Sequence, residues 1–433
     1  MTHPLFICRS IADKLCQPNH VESMSQESLM HIKGPSSYWQ NFSFADGFAG
    51  IAYFYAAMDQ AFPGENYGKI AQEHLLEALR AFQNHKPVNS SLFKGLAGLS
   101  LAMSAVSEPS DHFRQFHAGI DEWLIEDVNR FYIKVIPSFL DESILIPPFL
   151  YALPSGLSGI IVYLISRKDN PYLHELAQKS ADELAKLMLT KKRVREGEVS
   201  GWYFTQDQLM EAYRSPGVEG GYNTSMLFGV TGCLQALAAA AIEGFRSERI
   251  YQAIEAIALW LLDTYQYTSE NCYWNAVISA EGKTTRLPVE SEGLQNSWLY
   301  GWPSVVKSLF LAGQALDRDD LISFSRTLCI QFTEKEITFF SGESSFCLGS
   351  AGFISVIYPL AKAMKDGKLL HKVRKITADI ARSFDFNSPF GFTQHSFDAN
   401  QEFFPINSAT IASGAAGIGL SLLLTEDKWN FSL

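Results

Sequence analysis

The sequence has little positive charge and little cysteine. Its 35 Lys and Arg are outnumbered by 46 Asp and Glu, which leaves a formal charge of −11 over 433 residues. Nucleic acids and anionic membrane surfaces are bound through basic faces, so we expect neither as a partner. Six cysteines without a Cys-x-x-Cys pair do not make a disulfide framework. The N-terminus has no basic segment followed by a long apolar run, so no signal peptide is predicted and a cytoplasmic location is expected.

The chain also lacks a clear membrane-spanning run. Two uncharged stretches of 23 residues, 220–242 and 403–425, have the length to cross a bilayer. Both contain Asn, several Ser or Thr and paired glycines, and similar stretches recur along the chain. With 47% hydrophobic and 19% charged residues, the chain can bury a large core. We therefore predict buried helices and no integral membrane segment.

An internal repeat organises the sequence. The pattern Gly-x-x-Gly followed by an apolar run occurs six times, and a seventh copy begins at Gly301 with Ser304 in place of the second glycine. The six full copies begin at Gly47, Gly95, Gly156, Gly229, Gly349 and Gly414. One such pattern is weak evidence, but seven copies with matching flanks indicate a repeat architecture.

Segments of a different character separate these copies. Residues 69–85, 172–189, 246–266 and 369–386 each place apolar residues on one side at helical spacing. The runs after the glycines are apolar nearly all round, so they should be buried on every side. Seven buried and seven amphipathic helices predict an all-α fold, an α/α toroid of about fourteen helices in two rings.

The predicted organisation is a single toroid domain over residues 41–433, preceded by a helical extension over residues 1–40. Extended hairpin insertions are predicted near 199–208 and 271–290, the second one turning at Glu281-Gly282.

Seven inner helices that start in the same sense would place seven N-termini at one mouth of the toroid. Helix N-termini favour anionic groups, so this mouth is the place to search for a site. The residues that precede the repeat glycines should line it: Asp46, Lys94, Ser155, Phe228, Tyr300, Leu348 and Ser413. Asp46 and Lys94 could pair across the mouth, more in a structural role than a catalytic one.

Four strings before the glycines carry a resemblance to a known family. Each string corresponds to one motif of that family. SWLYG (297–301) corresponds to W-C-Y-G, and SFCLG (345–349) corresponds to C-H-G. YALPSG (151–156) corresponds to Y-D-x-x-x-G, and MLFG (226–229) corresponds to A-H-G. The chain thus resembles the lanthionine synthetase C-like family, the lanthipeptide cyclases, from about Phe42 to Leu424. The resemblance implies a seven-repeat α/α toroid. In the family, zinc activates a cysteine thiol of a precursor peptide for addition to a dehydrated Ser or Thr.

The residues that carry this chemistry in the family are mostly replaced. The positions of the zinc ligands hold Leu299, Cys347 and Leu348, and those of the catalytic Asp and His hold Ala152 and Phe228. An arginine often found in the family corresponds to Gln295. Because a catalytic zinc site needs three protein ligands, no zinc and no other cofactor is predicted, and no catalytic residue is assigned.

A peptide-binding site is assigned to four residues at the mouth: Trp298, Tyr300, Trp302 and Cys347. Aromatic side chains with a polar tip commonly dominate binding surfaces, although core packing is an equally ordinary role for them. Cys347 alone is more often a small buried residue than a nucleophile. Core packing is the prediction for Phe228 and Phe346.

Three functions stay open on sequence alone. The favoured one is a degenerate cyclase-like protein that binds a precursor peptide, its dehydratase or both, without zinc-dependent cyclisation. The first alternative is a cyclase that forms thioether rings without metal, by holding the reactants together. The second is a toroid enzyme that acts on glycans or terpenoids. That enzyme would need paired carboxylates at the mouth, and Glu290 and Glu292 lie only two residues apart on a predicted loop.

Overall fold

The computed structural model describes residues 3–29, 39–84, 89–106, 111–167, 170–195, 197–208, 220–267, 272–279, 292–340, 343–397 and 403–430. Seven apolar helices form an inner ring: α3 (Phe48–Ala61), α5 (Leu96–Ala105), α7 (Leu157–Ser166), α9 (Val230–Ile242), α12 (Trp302–Leu316), α14 (Ser350–Met364) and α16 (Ala415–Thr425). Seven form an outer ring: α1 (Pro4–Leu15), α4 (Tyr67–Asn84), α6 (Asp111–Val128), α8 (Pro171–Leu189), α10 (Glu248–Asp263), α13 (Asp319–Thr333) and α15 (Gly367–Arg382). Two further helices, α2 (Pro18–Leu29) and α11 (Glu292–Gln295), lie outside the rings.

The inner ring closes on itself. Each inner helix packs against the next one along the chain, and α16 packs against α3. Six outer helices follow an inner helix directly and pack against it. The connection from α12 to α13 is only two residues, Asp317 and Arg318, which requires the two helices to run antiparallel. The predicted all-α toroid is confirmed.

The seventh outer helix comes from the N-terminus. Helix α1 packs against α16, and its Ile7, Ile11 and Leu15 are fully buried. The ring nitrogen Nε2 of His74 lies 2.8 Å from the carbonyl oxygen of Leu15, and the Tyr55 hydroxyl donates to the Ala12 carbonyl. Helix α1, in the segment assigned to an N-terminal extension, thus completes the outer ring.

The second glycine of the repeat sets how closely the inner helices approach. A Cβ atom built at Gly50, Gly98, Gly159, Gly232, Gly352 or Gly417 would lie 1.8–2.3 Å from a carbonyl oxygen in the turn of its own repeat. The same atom would lie 2.7–3.3 Å from the side chain of the corresponding residue in the neighbouring turn. At Gly352 these two atoms are the carbonyl oxygen of Phe346, at 1.8 Å, and Cβ of Trp298, at 2.8 Å. Only a residue without Cβ fits this position.

Ser304 is the exception to the glycine rule. Its hydroxyl donates a hydrogen bond to the carbonyl oxygen of Trp298, the residue that corresponds to Phe346 in the next repeat. The fifth turn therefore accommodates a side chain, because the Ser304 hydroxyl bonds to the carbonyl oxygen with which the methyl group of an alanine would clash.

Main-chain hydrogen bonds join the seven turns into a second closed ring. Each donor N–H and acceptor oxygen lie 2.9–3.2 Å apart. The donor–acceptor pairs are Ala45 to Phe93, Phe93 to Pro154, Leu153 to Leu227, Met226 to Leu299, Leu299 to Cys347, Cys347 to Ala412 and Ala412 to Ala45. Pro154 has no N–H, so the preceding Leu153 donates in its place.

The strands are short and lie in the connections that lead from an outer helix to the next inner helix. β1 (Lys191–Val194) pairs antiparallel with β2 (Gly197–Ser200), and β4 (Gly220–Asn223) pairs with both β3 (Tyr203–Thr205) and β7 (Val277–Ser279). β5 (Gln266–Tyr267) pairs with β6 (Cys272–Tyr273), and β8 (Gln394–Phe397) with β9 (Phe403–Ile406). Since inner helices begin at the mouth, these insertions lie at the mouth end of the toroid.

Both segments predicted as hairpin insertions contain strands, but the described strands pair with partners outside these ranges: β2 with β1, β3 and β7 with β4, and β6 with β5. Residues 199–208 include the end of β2 and all of β3, and residues 271–290 include β6 and β7. The predicted turn at Glu281-Gly282 lies outside the described residues.

The glycine contacts predict a large stability difference between two substitutions. Gly352→Ala should lower the free energy of unfolding by more than about 3 kcal/mol, because the new methyl group meets main-chain atoms that cannot yield. Gly119→Ala, on outer helix α6, meets nothing within 4 Å and should be neutral or stabilising by up to about 1 kcal/mol. Denaturant unfolding of both variants measures the difference. Equal stabilities would contradict the close packing of the inner ring.

Candidate functional site

The residue before the first glycine of each repeat forms a rim around the mouth. Phe228 is 42% exposed, Lys94 is exposed, and the other five rim residues are half-buried, whereas the repeat glycines beside them are buried. The rim in ring order is Asp46, Lys94, Ser155, Phe228, Tyr300, Leu348 and Ser413.

A serine or threonine four residues before the glycine shapes most of these turns. The backbone N–H of Asp46 donates to the hydroxyl oxygen of Ser43 at 3.0 Å, and that of Tyr300 donates to Ser297 at 3.1 Å. Equivalent bonds reach Ser91, Ser225 and Thr410. Such turns are a usual role for short hydroxyl side chains. The sequence pattern shows this residue in six of the seven copies, and sequence reasoning missed it.

The rim is divided into two arcs. Three successive turns present apolar or aromatic side chains, Phe228, Tyr300 and Leu348, and we call this the apolar arc. The polar arc consists of Ser413, Asp46, Lys94 and Ser155. All the family positions for zinc and for the acid/base histidine fall on or directly behind the apolar arc.

Asp46 and Lys94 form the ion pair that the sequence suggested. The Lys94 Nζ atom lies 3.7 Å from an Asp46 carboxylate oxygen, and the carboxylate side chain is 16% exposed. Burial raises the pKa of Asp46 to about 6, and the ammonium group opposes that rise. The pair therefore keeps a carboxylate at the mouth that titrates just below neutral pH.

The three positions for zinc ligands remain adjacent but present little that binds metal. The backbone N–H of Leu299 donates to the carbonyl oxygen of Cys347 at 3.0 Å, and Leu348 follows directly. Leu299 is 9% exposed, and Cys347 and Leu348 are half-buried. Two of the three side chains have no metal-binding atom, so the three positions lie side by side without a ligand set.

The remaining thiol is held in its neutral form. Burial raises the pKa of Cys347 far above its usual range, and the nearby Asp46 and Glu343 carboxylates raise it further. A neutral thiol is a poor nucleophile. Among the described residues, no three His, Cys, Asp or Glu side chains are arranged to hold a metal ion. The residues at the mouth thus do not fit the family's zinc.

The two family positions for proton transfer differ in exposure. Ala152 is buried, and only its main chain takes part in the turn, with its N–H donating to Pro148 at 2.8 Å. Phe228 projects from the fourth turn and is 42% exposed. The predicted core role of Phe228 is therefore wrong, while Phe346, 2% exposed, packs in the core as predicted.

The two tryptophans assigned to peptide binding lie in the interior. Trp298 is fully buried, because its Cβ packs beside Gly352 and its ring lies 4.9 Å from that of Phe346. Trp302 is 1% exposed, and its ring stacks on Phe332 of outer helix α13 with centroids 3.5 Å apart. Side chains in these positions offer no surface to a ligand. Of the four residues assigned to peptide binding, Tyr300 is a half-buried member of the rim, and Cys347 is half-buried directly beside the rim residue Leu348.

A buried carboxylate near the mouth was missed by the sequence reasoning. Glu343, 3% exposed, accepts a hydrogen bond from the backbone N–H of His395 on β8 at 3.1 Å, and the His395 Nδ1 atom lies 3.5 Å from the same oxygen. Burial raises the pKa of Glu343 to about 7 and lowers that of His395. An isolated Glu and a distant His carry no sequence pattern that joins them.

Comparison with known proteins agrees with this fold. The family model for lanthionine synthetase C-like proteins matches residues 38–432, so the chain belongs to that family. Nisin cyclase is a similar solved structure, with a TM-score of 0.71 and 18% sequence identity over 95% of this chain and 94% of that one. No curated protein matches the sequence. Within the described residues, no helix is long and apolar enough to cross a membrane.

The carboxyl group of Glu343 predicts a pH dependence of stability. Its pKa is raised from 4.5 in the unfolded chain to about 7 in the fold. The unfolded state therefore loses the proton first as pH rises, and stability should fall between about pH 4.5 and 7.5 by about 3 kcal/mol. Glu343→Gln keeps a hydrogen-bond acceptor without the charge, so it should remove this fall.

Thermal unfolding at several pH values compares the two proteins, with the exposed Glu198→Gln as a control for loss of one carboxylate. If Glu343→Gln and the parent protein show the same slope, Glu343 does not titrate as its burial requires.

Proposed function

We propose that this protein binds a precursor peptide of a lanthipeptide-type pathway at the mouth of its toroid, without zinc-dependent cyclisation, in the cytoplasm. Membership of the family supports a role with precursor peptides. The observation that carries the proposal is the apolar arc of Phe228, Tyr300 and Leu348 at the pole where the family holds its metal.

The exposure of the arc supports binding. Phe228 leaves 42% of its surface accessible on a rigid turn, and the half-buried Tyr300 stands beside it with a polar hydroxyl. Rigid aromatic groups of this kind contribute much of the energy of peptide interfaces at low entropic cost. Dehydrated Ser and Thr residues are themselves apolar, so an arc of this chemistry suits a modified peptide as well as an unmodified one.

The side chains that remain are poorly suited to the family's reaction. Zinc-dependent cyclisation needs three metal ligands, and groups that hold and release a proton at the reacting carbon. Leu299 and Leu348 supply no metal ligand, and Ala152 supplies no group that transfers a proton. The Cys347 thiol is kept neutral by burial and by nearby carboxylates.

A second function is favoured by a single observation. The titratable groups Glu343 and His395 are in contact, and burial raises the pKa of Glu343 to about 7 and lowers that of His395. The Glu343 charge also acts on Cys347 at the mouth. Such a pair could move protons in a metal-free thioether reaction that depends on proximity. A glycan or terpenoid enzyme has less support, since Asp46 is the one acidic member of the seven-residue rim and Glu290 lies outside the described residues.

Binding at the arc predicts which substitutions weaken it. Phe228→Ala and Tyr300→Ala should each raise the Kd for the precursor peptide by about fivefold to thirtyfold, or about 1–2 kcal/mol, because each removes an exposed aromatic contact. Tyr172→Ala is the matched control, since Tyr172 is 72% exposed at the start of α8, on the opposite end of the toroid.

Calorimetry with the unmodified peptide, the dehydrated peptide and the dehydratase measures all three variants. If the protein binds none of these partners, or if all the variants bind with equal affinity, the arc is not the binding site. Thioether formation by the isolated protein would favour the second function instead.

The missing ligands predict that the purified protein holds no stoichiometric zinc. Elemental analysis after purification without chelator should find well under one zinc per chain. The double variant Leu299→Cys, Leu348→His is a positive control, because it restores three ligands on turns that already lie side by side. One zinc per chain in the parent protein, lost on Cys347→Ala, would contradict the assignment.

A further inference from the structure

One stripe along the inner helices is left partly uncovered by the two rings. Residues at positions 6, 9, 10 and 13, counted from the first glycine of the repeat, fall on one side of a helix. Neighbouring inner helices and the outer ring cover the remaining sides, so this stripe faces the lumen of the inner ring. Its half-buried side chains include Leu101, Val162, Ile165, Ala239, Lys307 and Leu311.

The lumen is closed under the mouth and opens at the far end of the toroid. The side chain three residues before each first glycine is at most 2% exposed in all seven repeats, and Phe44 is the first of this layer. The ring centroid of Tyr53, at position 6, lies 5.3 Å from that of Phe44 and 5.4 Å from that of Trp429. Trp429 in turn lines a cavity of about 450 Å³ together with Pro359 and Gln60, at positions 10 and 13. Position 6 therefore lies between the buried layer and the far-end opening.

A single charge stands on this lumen face. Lys307 is the one charged residue at positions 6, 9 and 10 of the seven inner helices, and the structure describes all of these positions. Burial lowers the pKa of Lys307 to about 8. A charge in such a poorly hydrated place attracts an opposite charge more strongly than it would in water. Because an ammonium group has three N–H donors, an anion can bind it alongside any group that it already contacts.

A second polar group faces the lumen at the same level. Gln235 is at position 6 of α9, the helix that packs beside α12 and its Lys307. Gln235 is 5% exposed, and its Oε1 atom has no hydrogen-bond partner among the described residues. A buried amide without a partner is costly, and a half-turn of this amide presents N–H donors at the same place. The two side chains thus supply the donors that a carboxylate requires.

We propose that the lumen binds a fatty acid or a similar small amphiphilic carboxylate, with its carboxylate on Lys307 and Gln235. The apolar body of the ligand lies along the lumen face of Leu101, Val162 and Leu311 and points to the far end. The rise from position 6 to position 13 of a helix is about 10 Å, which sets the length of the apolar body. The buried layer under the turns separates this site from the mouth, so the proposal goes beyond the binding of a peptide there.

Calorimetry with decanoate on the full chain tests the assignment. Decanoate combines a carboxylate with an unbranched apolar chain, and it should bind to the parent protein. Decanol has the same chain without the charge, so it should bind at least about tenfold more weakly. Decylamine carries a charge of the same sign as Lys307 and should not bind.

Two substitutions separate the charge from the wall of the lumen. Lys307→Met keeps the length of the side chain without its charge, so it should weaken decanoate binding about tenfold or more and leave decanol unchanged. Leu311→Ala shortens the wall, so it should weaken both ligands by about the same factor. The matched control is Lys368→Met, which removes an exposed lysine of outer helix α15 and should change the Kd for decanoate by less than about twofold.

Three results would overturn the proposal. They are no binding of decanoate, equal affinities for decanoate and decanol, and equal losses in Lys307→Met and Lys368→Met. Phe228→Ala should leave decanoate binding unchanged, because Phe228 lies on the other side of the buried layer. A protein that binds decanoate but no precursor peptide would therefore sustain the lumen site and refute the proposed function of the mouth.

Discussion

The close approach of the seven inner helices is the constraint on which the rest of the structure depends. At six turns a glycine leaves no Cβ between the helix and the side chain of the neighbouring turn, and at the fifth turn Ser304 bonds to the carbonyl oxygen instead. The tight ring brings the turns within hydrogen-bond distance of one another, so that their main chains close a second ring above the helices. The mouth is thus built from backbone atoms.

A mouth built from backbone atoms tolerates changes of its side chains. Leu299 and Cys347 stand where the family has metal ligands, yet the bond that joins their turns runs from N–H to carbonyl oxygen and is indifferent to either side chain. Replacing a ligand by Leu therefore costs the fold nothing in this ring. The same rigidity that would position a metal site can position the apolar arc of Phe228, Tyr300 and Leu348 for binding. In this way the toroid can be kept with Leu299 and Ala152 at positions where the resemblance implies a zinc ligand and a catalytic Asp.

Much of the fold could be predicted from the sequence, because its causes are periodic. The repeated glycines and the alternation of apolar and amphipathic segments specify both rings and locate the rim residues. The outer partner of α16 was not predictable in this way, since α1 is separated from it by nearly the whole chain. Nor does a motif separate a buried aromatic residue from an exposed one. Trp298 lies under the neighbouring turn, whereas Phe228 projects outward from its own turn. Only the packing at Gly352 reveals that Trp298 is buried. The contact of Glu343 with His395 escaped for a related reason, since it joins two residues that are far apart in the sequence.

The claim that the apolar arc is the peptide contact can be tested most directly by site-specific cross-linking. A benzophenone side chain replaces Leu348 on the arc in one protein and Tyr172 on the opposite end in another, and each is irradiated with the precursor peptide. The account predicts a cross-link from position 348 that an excess of unlabelled peptide suppresses, and none from position 172. A cross-link from position 172 alone, or equal yields from both positions, would contradict it.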